Sequence, residues 1–332
     1  MNGFFRRPAA LAAAAAAFLL SSFAAAAEPP RVAASIAPLH SLAAMVTAGV
    51  SEPYLLVRGG ASPHSYALSP SDSRSLSEAA LVVWVGEGLE GFLAKPLSTL
   101  ARRARTLELS ENETLTHYDR RTTGVWREDD GDPAHRHDHD HGHDRGHAHG
   151  SQGHEHHGRV DPHLWLHTRN AEAILLAISA ALSDIDPANA AVYRANAAAG
   201  VERMRTLHDE IDAQLASVRD RPFIVFHDAW QYFEREFQLT AAGAIALDPE
   251  RKPGARTLVA IRARIVEARV RCVFSEPQFS PSLVKTVIRE TSARSATLDP
   301  LGADLDPGPD LYPQLMRNLA AGLSSCLRNP RG

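Results

Sequence analysis

"PFIVFHDAWQYFEREFQLTAAGAIAL" (222–247) contains a complete strand–helix–strand unit. "FIVF" (223–226) and "AAGAIAL" (241–247) are short continuous apolar runs, and the stretch between them, about 230–237, carries helical spacing. Apolar runs of this length joined through a helix read as neighbouring strands of a parallel sheet buried under helices. The alternation continues downstream with "VRCVF" (270–274) and "SATL" (295–298), separated by helical stretches at about 255–268 and 281–290 and closed by one at about 311–327. Upstream, "RVAASIA" (31–37), "YLLV" (54–57), "LVVWVG" (81–86) and "TLEL" (106–109) repeat it. The expected class is α/β, with two (β/α) lobes built on parallel sheets.

A long Ala-rich segment lies between the two halves. Asp186-Pro187 is a helix start signal, and Leu207, Ile211, Leu215 and Val218 keep a helical stripe to about residue 220. About 30 residues at 1.5 Å each span roughly 45 Å, so the segment reads as a strut joining two lobes, with a coiled-coil arm as the alternative. The expected organisation is a leader at 1–27, a first lobe at 28–185, the strut at 186–220 and a second lobe at 221–332.

The leader has Arg6-Arg7, an apolar stretch from residue 9 to 20 and a small-residue end at Ala25-Ala26-Ala27, the pattern of a cleaved secretory signal. The apolar stretch is shorter than the roughly 20 residues of a membrane span, and the chain is expected not to be membrane-embedded. With no Cys near the cleavage point, the expected location is the periplasm. Losing Arg6 and Arg7 takes the formal charge from −4 to −6, 33 bases against 39 acids. An acidic chain with sparse aromatics excludes a nucleic-acid partner. The two cysteines, Cys272 and Cys326, read as one disulfide in an oxidising compartment, worth roughly 4 kcal/mol for a loop of about 55 residues; two buried thiols are the alternative.

Ten of the 17 histidines fall within 135–157: His135, His137, His139, His141, His143, His147, His149, His154, His156 and His157. They alternate with Asp and Gly and have almost no apolar company, so the surrounding segment, about 127–158, reads as an inserted flexible loop. Imidazoles at this density suit weak, multivalent capture of Zn²⁺.

Three other histidines follow a strand-like run or a turn: His64 in "GGASPHSYALSPSD", His163 in "VDPHLWL" and His227 in "FIVFHDAW". Strand carboxyl ends are where parallel sheets place binding groups. Taken singly, each also fits a hydrogen-bonded structural histidine. Asp299 in "ATLDPLG" is a further candidate, with a turn Asp before Pro300 as its alternative.

Together, "LLVRGGASPHSYALSPSD", "LVVWVGEGLEGFL", the His-rich loop, "DPHLWL", "FHDAWQYFEREFQL", "FSEPQF" and "TLDPLG" resemble, in order and over essentially the whole mature chain, the ZnuA-type zinc-binding periplasmic proteins of ABC importers. The resemblance implies two lobes facing each other across a metal cleft and joined by one long helix. It implies His64 and His163 from the first lobe and His227 from the second as ligands of one tight Zn²⁺ site. Some relatives carry a Glu before the first His, where this chain has Pro63. The resemblance then assigns the fourth position to Asp299, with water as the alternative. Three imidazoles and one carboxylate suit Zn²⁺, whereas a Mn²⁺ or Fe²⁺ member would more usually add a second carboxylate. Glu276 is the candidate for that second carboxylate or for an orienting role, and Asp161 and Asp228 are expected to orient imidazoles or cap turns. The implied partner is the membrane permease of an ABC importer, with the chain a monomer and not an enzyme. A zinc hydrolase is the rival from another class, and the chain has no H-E-x-x-H helix to support it.

Overall fold

The computed structural model describes residues 28–126 and 159–328, so the leader and the histidine tract lie outside the described residues. The first sheet contains β1 (Val32–Ala34), β2 (Tyr54–Leu55), β3 (Leu81–Trp84) and β4 (Arg105–Glu108). The second contains β5 (Phe223–His227), β6 (Ala241–Ala246), β7 (Cys272–Ser275) and β8 (Arg294–Thr297). Their orders, β2-β1-β3-β4 and β6-β5-β7-β8, are the same topology, and all pairings are parallel. In both sheets the order reverses beside the first strand, which opens a crevice at the carboxyl ends of β1/β3 and β5/β7.

The central strands of each sheet are buried on both faces, with alternate residues packing into different cores, while the edge strands β4 and β8 are largely exposed. From β3, Leu81 and Val83 face a large core shared by the two lobes, while Val82 and Trp84 face a smaller one with α2 (Pro70–Glu78) and α3 (Gly91–Thr99). From β5, Phe223 and Val225 join the shared core, and Ile224 and Phe226 pack under α7 (Ala255–Glu267) and α8 (Ser282–Ile288). The shared core also takes in α1 (Ala37–Thr47), α4 (Thr168–Ile185), α5 (Ala190–Leu215) and α9 (Leu311–Arg328). Among the described residues, no helix is long and apolar enough to cross a membrane.

The joining helix differs from its expectation at the start. α5 begins at Ala190 rather than at Asp186-Pro187, because the Asp186 carboxylate accepts hydrogen bonds from the Asn189 amide (2.7 Å) and the Tyr193 hydroxyl (2.8 Å), closing a turn between α4 and α5. The helix is also no free strut. Tyr193, Ala197, Val201, Met204, Leu207, Ile211 and Leu215 form a buried stripe, and Gly200 lies where a Cβ would come 2.9 Å from Leu175. The lobes are further tied by Glu236 on α6 (Gln231–Glu236), whose carboxylate accepts the N–H of Thr168 at the start of α4 (2.8 Å). Cys272 and Cys326 are joined as a disulfide, fixing α9 to the first residue of β7.

Candidate metal centre

His227 is the last residue of β5, and Glu276 follows β7, so the two flank the crevice at the switch point of the second sheet. His163 precedes a single helical turn, Leu164–Leu166, that leads into α4. His64 lies in the loop between β2 and α2, which is anchored at its far end: Ser69 and Asp72 form a capping box, and Asp72 also accepts the Tyr54 and Tyr66 hydroxyls.

These three histidines from distant stretches meet. Their ring centroids are 5.1 to 5.8 Å apart, and one nitrogen from each lies within 4.8 Å of the others. His163 Nδ1 is 2.8 Å from Asp161 Oδ1, and His227 Nδ1 is 2.7 Å from Glu276 Oε1. Each carboxylate holds the N–H at Nδ1 and thereby leaves Nε2 with its lone pair toward the centre. The two Nε2 atoms are 3.2 Å apart. Asp161 is itself held by the Gln231 side-chain amide at 3.0 Å, and its carbonyl accepts the Tyr232 hydroxyl at 2.9 Å.

Electrostatics divide the three rings. Burial drives His64 down to about 2, helped by the neighbouring His163, His227 and Arg120. At His163 burial outweighs Asp161 and the shift is downward. At His227 burial is again the largest single effect and pushes down, but Glu276, with Asp228 and Asp161, together outweighs it and the net shift is upward. Of the three rings, His227 is therefore the one whose surroundings favour the charged form.

The pocket around these atoms encloses about 10 Å³, space for a single small occupant. Its walls include Leu89, Trp165, Phe279, Pro300 and Leu301, which exclude water from the donors. Glu276 Oε2 is buried without a hydrogen-bond partner and belongs to the same pocket. Convergent lone pairs and an orphaned carboxylate oxygen in a dry pocket fit a divalent cation.

The other expected residues take different places. Asp299 stands outside the histidine cluster: Oδ1 accepts the Gln278 side-chain amide (2.9 Å) and the Leu301 N–H (3.0 Å), and Oδ2 accepts the Ala303 N–H. That is the turn-forming use of an Asp before proline. Asp161 orients an imidazole, and so does Glu276. Asp228 orients none and instead pairs with Arg121 (2.9 Å). Burial pushes the Asp228 carboxyl up to about 7, with Arg121 opposing. Arg121, Gln231 and Tyr232 have no signature in the sequence, because their roles arise only when residues 118–121 pack on α6.

The family profile for ZnuA, described as the periplasmic component A of the zinc-uptake complex, matches residues 32–326. The chain belongs to the ZnuA family. Within it, the high-affinity zinc uptake system protein ZnuA of Brucella abortus (strain 2308) is 44% identical over 310 residues, 89% of this chain and 91% of that one. The ZnuA of Yersinia pestis is 36% identical over 297 residues, 90% and 91% of the two chains. A solved crystal structure of ZnuA superposes with a TM-score of 0.69 at 23% identity, covering 90% of this chain and 99% of that one, which bears on the fold alone.

Proposed function

We propose that this ZnuA-family chain is the periplasmic zinc-binding component of an ABC importer, capturing Zn²⁺ at one tight site and handing it to the membrane permease. The names of its relatives and the family profile support the zinc reading. The observation that carries it is the pair of imidazoles locked by Asp161 and Glu276 with their Nε2 atoms converging beside His64. Nitrogen-rich, preorganised donors suit Zn²⁺, which has no geometric preference to violate and tolerates four ligands.

In this reading His64, His163 and His227 are three ligands and Asp299 the fourth, reached when its carboxylate exchanges the Gln278 amide for the cation. Water takes that corner if Asp299 does not. The leader at 1–27 directs export. The tract at 135–157 holds further Zn²⁺ weakly and raises its local concentration by tethering. The chain acts as a monomer and performs no chemistry on its cargo.

Elemental analysis and calorimetric titration of untagged protein test this. One tight zinc equivalent that is lost in His64→Ala is expected, with additional weak equivalents lost on deletion of 135–157. A tight site indifferent to His64, or one abolished by deleting the tract, would refute the assignment.

A further inference from the structure

Residues 118–126 run from the first lobe onto the second. Asp119 bridges Val160, and beyond it the chain crosses to β6. There Val125 bridges Gly243, the Trp126 N–H donates to Ala242 O (3.1 Å) and the Ala244 N–H donates to Gly124 O (2.9 Å). The strap thus pairs with the outer edge of the second sheet. Its seat needs glycine on both sides: a Cβ on Gly243 would lie 2.5 Å from Gly124 O, and one on Gly124 would lie 2.9 Å from Ala244 O.

The strap carries Arg121 to the metal centre. One guanidinium nitrogen donates to Asp228 Oδ1 at 2.9 Å and another to Glu234 Oε2 at 2.5 Å, while the group lies 3.8 Å over the Trp126 ring. The two carboxylate side chains are 6% and 4% exposed. Asp228 directly follows His227 and lines a cleft of about 430 Å³ together with His64, Asp161 and His163.

Four acids lie near the three imidazoles, and each has at least one oxygen engaged, with Glu276 Oε2 left unpartnered. Asp161 and Glu276 are occupied by the imidazoles they orient, and Asp299 by N–H groups of its own segment. Asp228 is held by a cation brought across from the other lobe, whereas the cross-lobe partner of Asp161 is the neutral Gln231 amide. We propose that Arg121 is a selectivity-determining positioning residue: by holding the Asp228 carboxylate it denies the cation a second oxygen ligand and so disfavours Mn²⁺ and Fe²⁺ against Zn²⁺. This rests on the zinc-binding reading above. Harder cations gain more from an added carboxylate than Zn²⁺ does, and without Arg121 the bound metal is the cationic partner left to Asp228.

The test is calorimetric titration of the full chain with Zn²⁺ and with Mn²⁺ in wild type, Arg121→Met and the double variant Arg121→Met/Asp228→Asn. Arg121→Met should raise the Mn²⁺-to-Zn²⁺ affinity ratio at the tight site at least about tenfold, and the double variant should return it to the wild-type value. An unmoved ratio, or one raised equally in both variants, overturns the proposal. Should Arg121→Met fail to fold by circular dichroism, Arg121→Met/Glu234→Gln, which removes one of the two buried charges, carries the same comparison. Wild-type zinc binding that survives His64→Ala would instead refute the zinc site itself, whereas a His64-dependent site with an unmoved ratio refutes only the role of Arg121.

Discussion

The Nε2 atoms of His163 and His227 face each other at 3.2 Å while their Nδ1 atoms are held by two different carboxylates, Asp161 and Glu276. Two imidazole lone pairs so close repel unless a positive charge lies between or beside them. His227 is the ring whose surroundings favour a proton, and a bound cation would take that proton's place.

Zinc and a proton therefore compete. Against burial, the largest single effect, His227 is raised above 6.5 by Glu276 together with Asp228 and Asp161, so its proton is present below that raised value and lost above it. Its contribution to metal-free stability follows the same sign: full below pH 6.5, lost as pH rises through the shifted value. His64 and His163 are shifted downward and are already neutral there. Zinc binding should release a growing fraction of a proton as pH falls through the raised His227 value, seen as a dependence of the calorimetric heat on buffer ionisation enthalpy, and affinity should fall between about pH 7.5 and 5.5. Equal affinities at the two pH values would contradict a site built from these rings.

Glu276→Gln leaves the space filled but removes the charge that fixes the His227 tautomer. Loss of an orienting partner of a ligand imidazole typically weakens metal binding 10- to 100-fold, and that range is expected here by chelator competition. An unchanged affinity would mean that Glu276 Oε1 does no orienting.

Asp299→Asn separates the two candidates for the fourth corner. If the carboxylate moves to the cation, zinc affinity drops by about tenfold or more; if water fills the corner, affinity stays within about twofold of wild type. The same substitution also disturbs the N–H contacts to Leu301 and Ala303, so thermal stability measured alongside shows the structural share of the effect.

Replacing Cys272 and Cys326 together by Ser should lower stability by about 4 kcal/mol, from the loop of 54 residues that the disulfide closes. Cys272 begins β7, whereas Glu276 lies beyond its other end, so zinc affinity should change little. A matching loss of affinity would tie the disulfide to the metal centre.

Much of this was legible in the sequence for a definite reason. Strands buried on both faces are short apolar runs, and β1, β3, β5 and β7 stand out on that ground, whereas the edge strands β4 and β8 are largely exposed and polar and show only through the apolar residues beside them. His163 and His227 were visible because each adjoins such a run. What pairing in space creates was not visible. Asp186-Pro187 carries a helix signal that the fold spends on a turn, and Asp299 and Glu276 both follow apolar strands, yet only burial and hydrogen bonding show that one serves a loop and the other an imidazole. The strap at 118–126 has no periodicity of its own, since its regularity is supplied by the edge of β6.

The central claim, that three imidazoles converge on one Zn²⁺, is tested most directly by zinc X-ray absorption on protein lacking 135–157 and loaded with one equivalent of zinc. The predicted spectrum has a four-coordinate shell of nitrogen and oxygen at about 2.0 to 2.1 Å with outer-shell scattering from three imidazole rings, falling to two rings in His64→Ala. A wild-type shell fitted by fewer than three imidazoles, or one unaltered by His64→Ala, would contradict it.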